Sequence, residues 1–379
     1  MSEPRTINPF VPGRGAPPPY LAGREAEQRE MRKLRRYVEA RRGAPRDIVL
    51  AGPRGNGKTV LLRWFQREIE ALDVPIDVLW RTPSDLPSID SLATILVPPG
   101  RYKSLLPDTL SLSIGVGRLG WDLSGNPGTL AELLALRCGH RPLVLLVDEA
   151  HTLDRDVGRA LLNASQSVAT DAPFLLALAG TPGLEPHLHT MSATFWDRAT
   201  QLGIDRLDES EAAAALAYPL ARQDPAVAFT DAALRQVVDE SQCYPYFLQV
   251  WGAALWEETA ETGETVIDTS VAARARPAFE RERSTYFQHR GNELERRDLL
   301  PVAARVADAF EGKVGLTQRA VNAAIADALG IDSASTVAQC RDRLAAVGYV
   351  WNPPGAGDMW QPGIPSLMRH VRAAFGSAA

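Results

Sequence analysis

The chain has 379 residues, enough for two or three domains, and 45% of them are hydrophobic, which is ample for buried cores. Its formal net charge of −5 excludes a uniformly basic nucleic-acid coat, so any DNA contact must use a local patch. Three widely spaced cysteines and the absence of any apolar run of about 18 residues favour a cytoplasmic protein without structural zinc or a membrane span.

The N-terminal part divides into an irregular arm and a helix. Residues 1–22 are rich in proline and glycine, which predicts no regular element but an extended or disordered arm. Residues 23–42 are highly charged, with Met31, Leu34 and Val38 at helical spacing, so a helix is expected there.

The stretch Ile48–Ile69 contains a G-x-x-x-x-G-K-[ST] pattern between an apolar strand and an amphipathic helix. Glycines let backbone N–H groups turn inward around a phosphate, and the helix N-terminus adds partial positive charge. Lys58 is expected to reach the β- and γ-phosphates, and the Thr59 hydroxyl to ligate Mg²⁺. The residues predicted to bind the nucleotide in this loop are Gly52, Pro53, Arg54, Gly55, Asn56, Gly57, Lys58, Thr59 and Val60.

Further apolar runs predict strands that alternate with helices, which indicates a parallel α/β sheet covered on both faces. Residues 82–130 are expected to be irregular, with a strand or hairpin inserted near 111–117. The predicted strands are Ile48–Ala51, Ile76–Trp80, Leu143–Val147, Phe174–Ala179 and Gln201–Asp205, and the helices between them include Thr129–Leu136 and Arg155–Ala169.

A second chemical signal is the sequence LVLLVDEAH at 143–151. Two carboxylates follow a buried strand at the edge where open α/β sheets bind ligands. Alternate strand residues point to opposite sides, so Asp148 suits a Mg²⁺ contact and Glu149 suits polarising the attacking water. Thr181 ends the next apolar strand, where its hydroxyl could lie between Glu149 and the γ-phosphate; a threonine that only closes the strand is the alternative.

From Asp208 onward only helices are expected. Asp208 and Glu211 form a D-x-x-E capping pattern, Thr230 is a good N-cap, and Pro245 begins a further helix. A charged helical connector precedes a small C-terminal domain, for which we predict three helices, a hairpin and a terminal helix.

These motifs resemble those of the AAA+ ATPases, in particular the branch with origin-recognition-type replication initiators and bacterial transposition and secretion ATPases. The resemblance covers about residues 20–375 and rests on GPRGNGKT (Walker A), LLVDEA (Walker B), GRE at 23–25, AGTPGL after the fourth strand and CYPYFLQVWG at 243–252. It implies ATP hydrolysis to ADP and phosphate with Mg²⁺ in an oligomer.

The resemblance also assigns roles to individual residues. Tyr20 and Leu21 would cover the adenine, and Thr181 falls at the sensor-one position. Arg198 falls where the family places an arginine finger that reaches the neighbouring subunit, with Arg206 as the second candidate; a surface ion pair is the alternative for Arg198.

The segment 243–247, which matches the family's sensor-two turn, contains no arginine. Either Tyr246 or another group makes the nucleotide contact that the arginine makes elsewhere, or the lid senses the γ-phosphate only weakly.

The C-terminal residues resemble a winged helix, which binds DNA in initiator-type ATPases. Its third helix would present Thr336, Gln339, Arg341 and Arg343 to bases or phosphates. The charges of this domain nearly balance and the presumed wing, PPGAGD, has no basic residue, so a winged helix that binds protein is the alternative.

The predicted fold is α/β, a P-loop AAA+ parallel sheet with a helical lid and a C-terminal winged helix. The predicted function is an oligomeric, ATP-hydrolysing switch associated with DNA. The alternative is a nucleotide-gated signalling or scaffold protein of a mobile-element or defence system that binds a protein partner. The expected domains are an arm at 1–22, the nucleotide-binding domain at 23–207, the lid at 208–270, a connector at 271–297 and the winged helix at 298–379.

Overall fold

The computed structural model describes residues 7–13, 15, 17–96, 127–169, 171–331 and 333–375. They form two compact units, and each has its own hydrophobic core. The sheet unit comprises the described residues of 25–51 and 62–202, and the helical unit those of 1–24, 52–61 and 203–379. The strand or hairpin expected near 111–117 lies outside the described residues.

A five-stranded sheet in the order β2-β3-β4-β1-β5 forms the centre of the sheet unit. The pairs β2–β3, β3–β4 and β1–β4 are parallel, and every residue of β1, β3 and β4 is buried, which explains their continuous apolar sequences. The predicted α/β sheet is thereby confirmed. The strands are β1 (Ile48–Ala51), β2 (Asp77–Arg81), β3 (Leu143–Val147), β4 (Phe174–Gly180) and β5 (Thr200–Gly203).

Seven helices accompany this sheet in the described part of the chain. The prediction of an irregular segment after β2 is wrong in part, because α3 buries Leu92, Ala93 and Leu96 there. Eight residues are too few for helical periodicity to stand out in a sequence window. The helices are α1 (Glu25–Glu39), α2 (Lys58–Glu70), α3 (Ile89–Leu96), α4 (Pro127–His140), α5 (Arg155–Val168), α6 (Leu184–Met191) and α7 (Phe195–Arg198).

Four helices follow β5 in the helical unit, and the starts of the first two are capped as predicted. Asp208 and Glu211 form a reciprocal capping box, and the Thr230 side chain accepts from the Ala233 N–H. A short parallel ladder joins Ala228–Phe229 (β6) to Val266–Ile267 (β7). The helices are α8 (Glu209–Ala221), α9 (Asp231–Ser241), α10 (Pro245–Thr262) and α11 (Thr269–Arg296).

The C-terminal part of this unit has the element order helix, strand, helix, helix, strand, strand, helix. Its three strands are antiparallel, in the order β8-β10-β9. Across the described ranges, every helix is too short or too polar to cross a membrane. The elements are α12 (Leu300–Ala309), β8 (Leu316–Thr317), α13 (Gln318–Leu329), α14 (Ala334–Ala346), β9 (Val350–Trp351), β10 (Met359–Pro362) and α15 (Pro365–Phe375).

The described residues of the N-terminal arm form no regular element, as the composition predicts, but they are anchored on α10. Phe10 is 3% exposed, and its ring lies where a Cβ at Gly252 would stand. The Asn8 amide donates to the Ala253 carbonyl at 3.3 Å. Phe10 of the arm is therefore part of the core of the helical unit.

Candidate nucleotide-binding site

The phosphate loop between β1 and α2 has the backbone shape that its glycines permit. Gly55 and Gly57 have φ values of +80° and +95°, a left-handed region that other residues enter only at a cost. At Gly55 a side chain would also run into the hydroxyl of Tyr244. The spacing of the glycines in the pattern thus follows from the curvature of the loop.

Lys58 is held inside this loop at the N-terminus of α2. Its side chain is 7% exposed, and Nζ donates to the carbonyls of Gly52 at 2.7 Å and Pro53 at 2.8 Å. Phosphate oxygens accept such charge-assisted bonds more strongly than neutral carbonyls do, so this ammonium is suited to exchange its partners for a phosphate. Thr59 and Val60 follow on the first turn of α2 and are partly buried.

Two side chains tie the loop to the segment after β5. The Asn56 amide donates to the Ile204 carbonyl at 3.0 Å. The guanidinium of Arg24 donates to the Asn56 carbonyl at 3.2 Å and also to the Asp205 carbonyl. Arg24 has a φ of +73°, which is uncommon for a residue with a Cβ and often marks a site where surrounding contacts enforce the conformation.

Two tyrosines, Tyr244 before α10 and Tyr286 on α11, hold the loop from another side. The Tyr244 hydroxyl donates to the Arg54 carbonyl and lies 3.1 Å from the Tyr286 hydroxyl on α11. Burial, and then the neighbouring Tyr286, raises the pKa of Tyr244 well above its ordinary value, so its hydroxyl remains a donor at every physiological pH. The Arg54 side chain in the loop lies 3.8 Å from the carboxylate of Glu293, which is on α11.

The aromatic residues expected to contact the nucleotide lie in the same unit. Tyr246 is half-buried, with its ring centroid 4.9 Å from that of Tyr286 and its Cβ beside Gly55. Tyr20 packs on Tyr218 of α8 with a centroid distance of 4.2 Å, and Leu21 is half-buried beside it in the chain. Tyr246 thus lies at the loop, whereas the Tyr20 ring packs on α8.

The two carboxylates after β3 occupy different environments. Asp148 is 7% exposed, and its Oδ1 accepts from the Glu149 N–H at 3.0 Å. Glu149 has a φ of +55°, and its carbonyl accepts from both the N–H and the hydroxyl of Thr152 at 3.0 Å. The Glu149 side chain is 47% exposed. The backbone of Glu149 is therefore fixed while its carboxylate faces solvent.

Thr181 lies at the same sheet edge as the carboxylates. It follows β4, which pairs in parallel with β3, and it is 1% exposed. Its N–H donates to Nδ1 of His151 at 3.4 Å. The structure thus brings together the three residues that sequence spacing placed after neighbouring strands.

The donor set suits Mg²⁺ better than a tightly bound structural metal. Among the described residues there is no group of three or more His, Cys, Asp and Glu side chains that could hold a metal ion. Mg²⁺ in nucleotide sites is usually held by one or two protein groups plus phosphate oxygens and water. The Asp148 carboxylate is a donor of that kind.

Arg198 lies at the end of the sheet where the strands begin, whereas Asp148 follows the C-terminal end of β3. It ends α7 just before β5, and the Thr200 N–H donates to the Asp47 carbonyl next to the start of β1. Arg198 is exposed, lines a cavity of about 210 Å³ and makes no ion pair within the described part of the chain.

The two arginines predicted to contact DNA have partners within the chain. Arg341 is 13% exposed, bonds to Asp342 and Asn322 and lies over the Trp360 ring at 5.1 Å. Arg343 is exposed but donates to the Arg297 carbonyl. On the same helix, α14, the side chains of Thr336 and Gln339 are exposed.

Sequence reasoning missed several residues that hold the site. Arg24 lies in the GRE motif, and this motif could have identified it. A charged residue next to a glycine at the start of a helix can be expected to have a specific partner. Tyr286 has no comparable signal, since its partner Tyr244 is 42 residues away in the chain.

Comparison with known proteins confirms the fold and the domain. Residues 20–178 match the model of a family described as AAA ATPase domain. The ADPNP–ADP complexes of the Aeropyrum pernix ORC2 protein align with a TM-score of 0.58 and 13% identity over 96% of this chain and 98% of that one. The ADP form of ORC2 gives 0.54 and 13% over 98% and 100%. Residues 20–178 therefore match an AAA ATPase domain, and the chain shares the fold of the ORC2 structures.

Two further findings carry no functional argument. The Aeropyrum pernix ORC1 protein in complex with DNA aligns with a TM-score of only 0.48, at 14% identity over 94% of each chain. No protein with a curated description matches the sequence.

Replacing Arg24 by alanine should weaken ATP binding about tenfold, because the loop loses charge-assisted bonds worth about 1.5–3 kcal/mol each. Titration with a fluorescent ATP analogue measures the change, with Arg29→Ala on the exposed face of α1 as the matched control. Arg24→Gly should be more stable to heat than Arg24→Ala, because glycine tolerates the left-handed φ. Unchanged ATP affinity in Arg24→Ala would show that the loop does not depend on this side chain.

Proposed function

We propose that this protein, whose residues 20–178 are an AAA ATPase domain, hydrolyses ATP to ADP and phosphate with Mg²⁺ in an assembly of several copies. The observation that carries the proposal is the preformed loop, with left-handed Gly55 and Gly57 and with Lys58 buried at its centre. Pre-organised backbone donors at a helix N-terminus favour the phosphates of a nucleotide. The ORC2 structures that share this fold contain ADPNP and ADP, which supports the same class of ligand here.

Asp148 and Glu149 divide the chemistry. The buried Asp148, with Thr59, would hold Mg²⁺, whose charge neutralises phosphate oxygens when it is bound. Glu149 would orient and polarise the attacking water, because its exposed carboxylate extends from a backbone fixed on both sides. Thr181, at the end of the neighbouring strand, would hold the γ-phosphate side of the site.

Arg198 would complete the site of a second copy. It lies just before β5 begins, whereas Asp148, Glu149 and Thr181 follow the ends of the parallel strands β3 and β4, so it would act on the site of a neighbouring copy. An exposed guanidinium without an ion-pair partner in the described residues can bind the charge that develops on a transferred phosphoryl group. The rate of ATP hydrolysis would then depend on the assembly of at least two copies of the chain.

The turn before α10 would carry the state of the loop to the C-terminal part of the chain. Gln242 and Cys243 are both left-handed, with φ values of 56° and 54°. The next residue, Tyr244, bonds to the Arg54 carbonyl of the loop, while the Gln242 side chain accepts from the Ser366 N–H at 3.0 Å. This turn occupies the position at which related proteins have the sensor-two arginine. Its contacts with the phosphate loop and with the start of α15 support a switch in which Tyr244 takes the place of that arginine.

DNA is the proposed partner of the C-terminal domain. Its element order and its three-stranded antiparallel sheet support a winged helix with α14 as the reading helix. The exposed Thr336, Gln339 and Arg343 would make the contacts, and Arg341 would instead stabilise the domain through Trp360 and Asn322.

A protein partner is the second candidate, favoured by the internal pairing of basic residues. Arg305 pairs with Asp327, Arg372 with Glu311, and Arg341 with Asp342. Such pairing lowers the positive potential that non-specific DNA binding requires.

Two inactive variants should restore hydrolysis when they are mixed. Lys58→Ala loses its own loop chemistry but keeps Arg198, and Arg198→Ala has the reverse defect. Each alone should hydrolyse ATP about a thousandfold more slowly than the wild type. An equal mixture should recover about a quarter of wild-type sites if copies assemble at random. Phosphate release against protein concentration measures this.

Arg159→Ala, at an exposed arginine of α5, is the control and should remain active. If Arg198→Ala alone keeps full activity, or if the mixture stays as inactive as its parents, the action of Arg198 on a second copy is ruled out. Recovery with Arg206→Ala in place of Arg198→Ala would move the role to Arg206.

Arg343→Ala should weaken DNA binding several-fold and lower its salt slope by about one, because it removes one phosphate contact. Anisotropy of a labelled duplex at several salt concentrations measures both quantities. Arg369→Ala, exposed on α15, is the matched control. Absence of binding to any duplex at low salt would exclude DNA and leave a protein as the partner.

A further inference from the structure

His151 lies in the short turn that follows the two carboxylates. The turn Ala150–Thr152 is a single 3₁₀ element, and the His151 side chain is 7% exposed. Its two ring nitrogens face two different parts of the site. Nδ1 is 3.4 Å from the Thr181 nitrogen, and Nε2 is 3.6 Å from Oε2 of Glu149.

The partner of Nδ1 determines where the ring proton lies. The Thr181 N–H can only donate, so Nδ1 must accept and carries no proton. In the neutral ring the proton is then on Nε2, which faces the Glu149 carboxylate. A separation of 3.6 Å is longer than a hydrogen bond, but catalytic contacts often tighten only when substrate is bound.

We propose that His151 is a positioning residue that links the Glu149 carboxylate to the backbone of Thr181. This inference rests on the proposed role of Glu149 in hydrolysis. Glu149 needs such a restraint because its side chain is 47% exposed and retains rotamers that point away from an attacking water. Thr181 is a firm anchor, since it follows β4, in which every residue is buried.

This arrangement couples the position of Glu149, the proposed base, to that of Thr181, which is proposed to face the γ-phosphate. A shift of Thr181 would be passed through the imidazole to the Glu149 carboxylate without any direct contact between them. A misplacement of about 1 Å can lower a rate a hundredfold, so a restraint of this kind affects turnover far more than ATP affinity.

Two substitutions separate the positioning role from a packing role. His151→Ala removes both contacts. His151→Gln can keep both, because its carbonyl can accept from the Thr181 N–H while its amide donates to Glu149. The full-length protein is assayed for kcat, for the dissociation constant of a fluorescent ATP analogue and for thermal stability. His189→Ala, at an exposed histidine on α6, is the control, and Glu149→Gln reports the proposed function separately.

His151→Ala should lower kcat about tenfold or more and leave the ATP dissociation constant within about twofold, and His151→Gln should recover most of the rate. Glu149→Gln should bind ATP without turnover. If His151→Ala turns over like His189→Ala while Glu149→Gln is inactive, the positioning role is wrong and the function stands. Equal losses of kcat, ATP affinity and thermal stability in both His151 variants would show a packing role instead. An inactive wild type would overturn the proposed function itself.

Discussion

The phosphate loop depends on hydrogen bonds that its backbone makes with the residues around it. A glycine-rich loop loses more conformational entropy on ordering than other segments, so it needs partners that fix it. Arg24 and Asn56 tie it to the segment after β5, and Tyr244 ties it to the turn before α10. Because Lys58 is already turned inward, ordering on nucleotide binding costs less.

The same bonds explain how a change at the phosphates could travel. Tyr244 and Gln242 belong to one turn, and Gln242 bonds to the start of α15, so two residues separated only by Cys243 contact the loop and α15. Two successive left-handed residues are a strained arrangement that persists only when its surroundings enforce it. A change in those surroundings would therefore act on this turn directly.

The sequence predicted the elements that depend on neighbouring residues, but it did not predict contacts between residues far apart in the chain. The buried strands and the loop followed from apolar runs and glycine spacing, and the capping box from Asp208 and Glu211. The bond between Tyr244 and Tyr286 did not, because no rule relates residues so far apart. Arg341 was wrongly expected to be free for DNA for the same reason. Helical spacing predicts which residues share a face of a helix, but it does not predict that the distant Trp360 packs against Arg341.

Hydrogen exchange at the Ser366 amide, with and without ATP, tests most directly whether the loop and the C-terminal domain are coupled. That N–H donates to Gln242, two residues from Tyr244. ATP binding should fix the loop and the turn, and so slow exchange at Ser366 as well as in the loop. Protection of the loop with no change at Ser366 would contradict the coupling.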